Sequence, residues 1–152
     1  MQARMSNPAM VVPGAMQAVM ALGESAKKGG ASPRTHALVH LRASQINGCS
    51  VCVEMHSQEF KKAGATDEQL FTVAAWREAP YFTDADRSAL ALAEAITRLS
   101  DRPDAVSDEV WEEAVRHFDG SSLAALVLSI ATVNLWNRLN AATRQVAGAW
   151  KG

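Results

Sequence analysis

Residues that interrupt regular structure occur at helix-like intervals, and this spacing constrains the fold more than any other feature of the chain. The interruptions are Gly29-Gly30, Asn47-Gly48, Gly64, Pro80 and Gly120. Between them, no segment alternates apolar and polar residues for long enough to predict a strand. Alanine occurs 28 times and isoleucine three times, and a chain rich in alanine but poor in β-branched residues favours helices over sheets. The sequence therefore predicts an all-α protein.

Helix start signals divide the chain into about six or seven helices of a single-domain bundle. Ser32-Pro33 has the pattern of an N-cap followed by proline at the first helical position. Thr66 with Gln69 has the pattern of a capping box. The predicted helices span residues 15–27, 33–46, 49–63, 66–76, 83–99, 107–117 and 121–147. We expect residues 14–148 to form the domain and residues 1–13 to form a loosely ordered N-terminal segment.

Charge and hydropathy argue against two classes of partner. The chain has 15 basic and 16 acidic residues, so its net charge of −1 provides no basic field for nucleic acid or an anionic membrane. No uninterrupted apolar run approaches the ~20 residues of a membrane span, and the N-terminus lacks the continuous apolar core of a signal peptide. We therefore expect a soluble cytoplasmic protein.

Two cysteines and a histidine form the most informative motif. Cys49 and Cys52 follow the Asn47-Gly48 break, where a new helix is predicted to begin, and His56 lies four residues after Cys52. Unpaired N–H groups and the positive end of the helix dipole at such a terminus stabilise a thiolate. The offsets place the three side chains on one helix face, where an imidazole can accept and return a proton.

This spacing favours redox chemistry over two alternatives. In a dithiol peroxidase, one thiolate attacks the O–O bond and the second condenses with the resulting sulfenic acid to form a disulfide. The cysteines could instead be small buried apolar residues. They could also bind zinc, with His56 and either His40 or His36 completing the ligand set, but no second ligand pair has the usual spacing. We therefore expect no bound metal or other cofactor.

The motif and two later segments resemble the carboxymuconolactone decarboxylase family, specifically its alkyl hydroperoxidase D-like (AhpD-like) branch. The resemblance is carried by Leu41-Arg42-Ala43-Ser44-Gln45-Ile46-Asn47-Gly48-Cys49-Ser50-Val51-Cys52-Val53-Glu54-Met55-His56, by residues 91–97 and by residues 134–140. It implies an all-helical protomer that assembles into trimers or hexamers. It also implies that Cys52 attacks the hydroperoxide, Cys49 resolves the intermediate and His56 belongs to a proton relay. A lipoyl- or thioredoxin-like dithiol would then reduce the pair.

One position departs from the family pattern. Family members usually carry a glutamate of the relay twelve residues before the first cysteine, and Ala37 occupies that position here. Possible replacements are Glu94, which burial would give a raised pKa, and the pair His36 and His40. The departure leaves open a peroxidase of reduced activity and a non-catalytic oligomeric binding protein. A lactone decarboxylase-type lyase is the third alternative, although decarboxylation needs no dithiol.

Two amides interrupt the apolar face of the last predicted helix. Asn134 and Asn137 continue the line of Leu123, Val127 and Ile130. Buried amides need hydrogen-bond partners, so we expect them to line the active pocket or, in a structural role, to join two subunits at an interface.

Overall fold

Eight α-helices and one 3₁₀ turn make up the regular structure of the described chain, which confirms the all-α prediction. The computed structural model describes residues 1–101 and 103–149. The helices are α1 (Pro8–Val11), α2 (Ala15–Ala26), α3 (Pro33–Asn47), α4 (Ser50–Lys62), α5 (Asp67–Thr72), α6 (Asp84–Thr97), α7 (Asp108–His117) and α8 (Gly120–Thr143), and the 3₁₀ turn (Val73–Ala75) follows α5.

The predicted capping residues begin their helices as expected. The Ser32 side chain accepts a hydrogen bond from the Thr35 N–H, and proline occupies the first turn of α3. Thr66 and Gln69 form both hydrogen bonds of a capping box at the start of α5. Each cap satisfies N–H groups that have no partner within the helix, which explains why α3 and α5 begin at these residues.

The largest differences from the predicted helices are two helix ends and one additional helix. The helix predicted to reach Trp76 ends at Thr72, because the following 3₁₀ turn brings Val73 and Trp76 onto one buried side. α8 ends at Thr143 and not at the predicted residue 147. The next residue, Arg144, takes the left-handed conformation (φ 53°), which ends the helix. The short helix α1 was not predicted, and the Asn7 side chain caps it by accepting the Ala9 N–H.

α3 lies at the centre of the fold and packs against α4, α6 and α8. One buried cluster joins α3 to α4 and to the 3₁₀ turn, and it includes Leu38, Leu41, Phe60, Val73 and Trp76. A second joins α3 to α6 and α8, and it includes Val39, Leu92, Leu126 and Ile130. Because apolar surface is buried on both sides of α3, the C-terminal end of this helix is held firmly where the cysteine motif begins.

α8 is long and apolar enough to cross a membrane by length and composition alone, the one such helix in the described part of the chain. Ser129, Asn134 and Asn137 interrupt its apolar residues, so the sequence shows no continuous apolar run. Half of its most apolar window is buried inside the protein, and α8 packs against α2, α3 and α6. These contacts are those of a core helix. A core helix can have the same length and apolar composition as a membrane span.

Candidate active site around the Cys49–Cys52 disulfide

The turn between α3 and α4 places both cysteines at a helix N-terminus, as the sequence predicts. Gly48 adopts the left-handed conformation (φ 66°), which glycine tolerates without strain, and its N–H bonds to the Gln45 and Ser44 carbonyls. Cys49 is the N-cap of α4, and Cys52 lies in its first turn. The unpaired N–H groups and the positive dipole end of α4 therefore lie beside the sulfur atoms.

Cys49 and Cys52 form a disulfide, with their Cα atoms 5.3 Å apart. The sequence left their redox state open, and the structure shows the oxidised form. Both residues are buried, with exposed fractions of 3% for Cys49 and 1% for Cys52. A reagent that approaches this bond must therefore come through an opening in the protein surface.

Asn140 of α8 contacts the sulfur of Cys52 directly. Its Nδ2 donates to Cys52 Sγ at 3.2 Å. Its Oδ1 accepts a hydrogen bond of 2.6 Å from Asn7 Nδ2, which fixes the orientation of the amide. Sequence reasoning did not single out either asparagine. The signal that could have found Asn140 is its offset of three residues from Asn137, which puts both amides on one face of α8.

A surface cavity of about 330 Å³ opens beside Cys49. Gly48, Cys49 and Ser50 line one side of this cavity. Its other lining residues include Asn140, Arg144 and Gln145 from the C-terminal end of α8 and the turn that follows. Cys49 is thus the cysteine that lines the cavity, whereas Cys52 contacts Asn140.

Asn134 and Asn137 join helices within the chain. Asn47 Nδ2 donates to both Oδ1 atoms at 2.9 Å. Asn137 Nδ2 also donates to Ser44 Oγ at 3.0 Å. Both side chains are buried, and the lining of the cavity beside Cys49 contains Asn140 instead of these two residues. Because Asn47 is the last residue of α3, these amides hold the turn that carries the cysteines.

Three imidazoles lie in a row from α3 to α4. The buried His56 ring lies 4.9 Å from the His40 ring, centroid to centroid, and His40 lies 6.2 Å from His36. Ser129 Oγ lies 2.9 Å from His36 Nδ1 and 2.6 Å from His40 Nε2. At the other end, His56 Nδ1 lies 2.7 Å from Glu59 Oε2. The row therefore runs from the core to a half-exposed carboxylate.

Burial and hydrogen bonding set the protonation of His40 and Glu59. Desolvation lowers the pKa of His40 well below its ordinary value, and the charges of His56, His36 and Lys27 lower it further. The hydrogen bond with His56 lowers the pKa of Glu59, despite the opposing effect of burial. His40 is consequently neutral and Glu59 ionised near pH 7. Cys52 and His56 both lie buried on α4, one turn apart, while the hydrogen bond of His56 goes to Glu59.

Ala37, at the position where the family usually carries glutamate, is buried in an apolar environment. It belongs to the cluster that includes Leu38, Leu41 and Phe60. Its methyl group cannot transfer a proton, and its neighbours in this cluster are apolar. Titratable side chains near His56 come from α3 and α4 at His40 and Glu59 instead.

Glu94 is buried, but the expectation that its pKa is raised is wrong. Burial does raise the pKa of this carboxyl, yet hydrogen bonds from Trp76, Arg77 and Arg42, together with the charge of Arg42, lower it below its ordinary value. Trp76 Nε1 and Arg42 Nε donate to Oε1 at 2.9 and 2.7 Å, and Arg77 Nη1 donates to Oε2 at 2.8 Å. The carboxylate is held ionised as the acceptor of an ion-pair network.

The fold and the site define an all-helical protein with a Cys-x-x-Cys disulfide at the start of a helix. The chain belongs to the carboxymuconolactone decarboxylase family, whose family model matches residues 13–95. Within that family it belongs to the AhpD-like branch. The resemblance that the motif predicted is confirmed.

Relatives and solved structures agree with this assignment. The chain is 31% identical to the uncharacterized protein YdfG of Bacillus subtilis over 87% of the chain and 88% of that protein. It is 34% identical to the uncharacterized protein YnjA of Escherichia coli over 76% of the chain and 62% of that protein. A protein of unknown function from Agrobacterium tumefaciens, proposed as the antioxidant defence protein AhpD, has a similar structure. The TM-score is 0.89 at 31% identity, over 97% of this chain and 99% of that one.

The debrominase Bmp8 shares the fold more distantly. Its TM-score is 0.78 at 20% identity, over 90% of this chain and 73% of that one. At this identity the likeness concerns the fold alone.

Proposed function

We propose that this protein is a thiol-dependent peroxidase that reduces hydroperoxides with the Cys49–Cys52 pair. The observation that carries the proposal is the disulfide itself, formed at the N-terminus of α4 with one sulfur contacted by an amide donor. The A. tumefaciens relative, proposed as an antioxidant defence protein, supports the same chemistry.

The hydroperoxide oxidises the cysteine pair by two electrons, and the disulfide then forms by condensation. The Cys52 thiolate attacks one oxygen of the hydroperoxide, the O–O bond breaks, and the leaving alkoxide takes a proton to become an alcohol. Cys52 is then a sulfenic acid. The Cys49 thiol condenses with it, which forms the disulfide and releases water. An external dithiol returns both cysteines to thiols and is itself oxidised to a disulfide.

The geometry favours distinct roles for the two sulfurs. The cavity reaches Cys49, so we propose that the external thiolate attacks Cys49 Sγ. Cys52 then leaves as a thiolate, which the Asn140 amide and the N-terminus of α4 stabilise. The same interactions prepare Cys52 as the nucleophile for the next hydroperoxide.

Protons move through the histidine row in the absence of a glutamate at position 37. We propose that His56 exchanges the proton of Cys52, with Glu59 orienting its ring. His40 and His36 extend the row through Ser129. Glu94 takes no part in this transfer, because three donors hold its carboxylate.

The partners follow from the chemistry and from the family. The substrate is a hydroperoxide, and the reductant is a lipoyl- or thioredoxin-like dithiol protein of the cytoplasm. We propose a homo-oligomer, either a trimer or a hexamer. The cysteine pair carries both electrons of the reaction, so the cycle needs no resident cofactor.

Thiol titration tests the proposal directly. After reduction and removal of the reductant, the protein should show two thiols, and one equivalent of cumene hydroperoxide should remove both. Mass spectrometry should then find one intramolecular Cys49–Cys52 disulfide. Survival of both thiols in excess hydroperoxide would overturn the proposed function.

Asn140→Ala should weaken the stabilisation of the Cys52 thiolate. A hydrogen bond to a charged group contributes about 1.5–3 kcal/mol, so loss of this donor should slow the reaction with hydroperoxide about tenfold or more. Stopped-flow measurement of the reduced protein gives the rate. Thr132→Val is the matched control on α8, since the hydroxyl of this buried residue donates to the Leu128 carbonyl of the same helix. An equal loss in both variants would mean that Asn140 acts only through packing.

A further inference from the structure

His40 of α3 and His56 and Glu59 of α4 bring three metal-ligating groups together. Each offers one ligand atom, and these three atoms all lie within 4.8 Å of one another. The shortest separation, 2.7 Å, joins His56 Nδ1 to Glu59 Oε2. Two imidazoles and one carboxylate are the protein ligands of many zinc sites in which water occupies the fourth position.

A metal ion binds the deprotonated form of each ligand, so it would displace the proton shared between His56 Nδ1 and Glu59 Oε2, which lie 2.7 Å apart.

The surroundings satisfy two further requirements of a metal site. Ser129 Oγ lies 2.6 Å from His40 Nε2 and fixes the orientation of that ring, as outer partners of metal-bound histidines do. The Glu59 side chain is half exposed, which gives an ion a path from solvent to the partly buried His40 and the buried His56. A tetrahedral site with zinc–ligand bonds of ~2.0–2.1 Å needs ligand atoms about 3.3 Å apart, and these three atoms all lie within 4.8 Å of one another. The exposed Glu59 side chain can rotate to adjust its own distances to the two rings.

We propose that His40, His56 and Glu59 bind one Zn²⁺ ion, with water as a fourth ligand. This set differs from a Cys₂His₂ arrangement, because the disulfide removes both cysteines as ligands. A bound ion would replace the hydrogen bond by which Glu59 orients the His56 ring. The consequence for activity, that Zn²⁺ slows the peroxidase, rests on the proposed function, but the binding does not.

Metal binding to the full-length disulfide form tests the site without interference from thiols. Titration with Co²⁺, a spectroscopic substitute for Zn²⁺, should give one equivalent of binding with visible absorption typical of four coordination. Zn²⁺ should displace it at the same stoichiometry. Failure of either metal to bind at one equivalent would overturn the proposal.

Variants identify the ligands. Glu59→Gln changes an exposed side chain and should weaken Zn²⁺ binding at least tenfold, and His40→Gln should do the same from the buried side. Glu113→Gln is the matched control, because Glu113 and His117 form an exposed pair 3.1 Å apart on α7. Undiminished binding in Glu59→Gln, or an equal loss in Glu113→Gln, would refute the assignment. Neither outcome would affect the thiol titration that tests the peroxidase.

Discussion

Cys52→Ser is expected to abolish peroxide turnover, with a loss of at least about a thousandfold in kcat/KM. A serine hydroxyl stays protonated at neutral pH, whereas a cysteine at a helix N-terminus reacts as its thiolate. Position 52 also carries the Asn140 contact that prepares the nucleophile. Turnover is measured by hydroperoxide consumption with dihydrolipoamide as the dithiol donor.

Cys49→Ser is the matched control, since it removes the other sulfur of the same disulfide. It should react once with hydroperoxide and then stop, because no resolving thiol is present. Mass spectrometry should find one added oxygen on Cys52, or a mixed disulfide when an external thiol is supplied. The reverse result, a single reaction in Cys52→Ser, would exchange the two roles.

The double variant separates the peroxidase from the remaining alternatives. Lactone decarboxylation needs no dithiol, so lyase activity in a Cys49→Ser/Cys52→Ser protein would favour the chemistry for which the family is named. A binding protein would show neither activity in any form. Loss of hydroperoxide reduction in the double variant, with the wild type active, is the result that the peroxidase proposal requires.

Local signals in the sequence predicted those parts of the fold that local interactions determine. Ser32, Thr66 and Thr83 begin helices because each accepts a hydrogen bond from an N–H three residues later. The Asn47-Gly48 break was predictable from another local property, because glycine readily takes the positive φ that ends a helix. The 3₁₀ turn after Thr72 was not, because it depends on the burial of Val73 and Trp76 in the tertiary structure.

Only the part of the candidate site that lies within one short stretch of sequence was predictable. The spacing of Cys49 and Cys52 is sufficient to predict that their sulfurs can meet. The contact of Asn140 with Cys52 joins residues 88 apart, and that of Asn7 with Asn140 joins residues 133 apart. Periodicity determines which face of a helix a residue occupies, but it does not identify the residue opposite. The sequence did not reveal the three side chains that donate to Glu94. A buried Glu94 was therefore expected to have a raised pKa.

Glu94→Gln should lower the free energy of unfolding by about 3 kcal/mol at pH 7. Breaking a buried ion pair leaves its partner charge uncompensated, and such losses are typically ~3–5 kcal/mol. Here the uncompensated group is Arg42, whose side chain is 12% exposed and which bonds to Glu94 across 52 residues. Urea denaturation gives the free energy of unfolding of both proteins.

The difference in free energy of unfolding between wild type and Glu94→Gln should become smaller as the pH falls. The pKa of Glu94 is lowered in the folded protein, so its contribution is fully present above the pKa of the unfolded chain, about 4.3, and is lost as pH falls through the folded value. The difference in free energy of unfolding between wild type and Glu94→Gln should therefore be largest near pH 7 and should decrease below about pH 4. Glu113→Gln is the control, because the pKa of Glu113 is also lowered but its side chain is 42% exposed at the surface, where ion pairs contribute little. A gap that stays constant down to pH 3 would show that Glu94 stabilises the fold by packing and not by its charge.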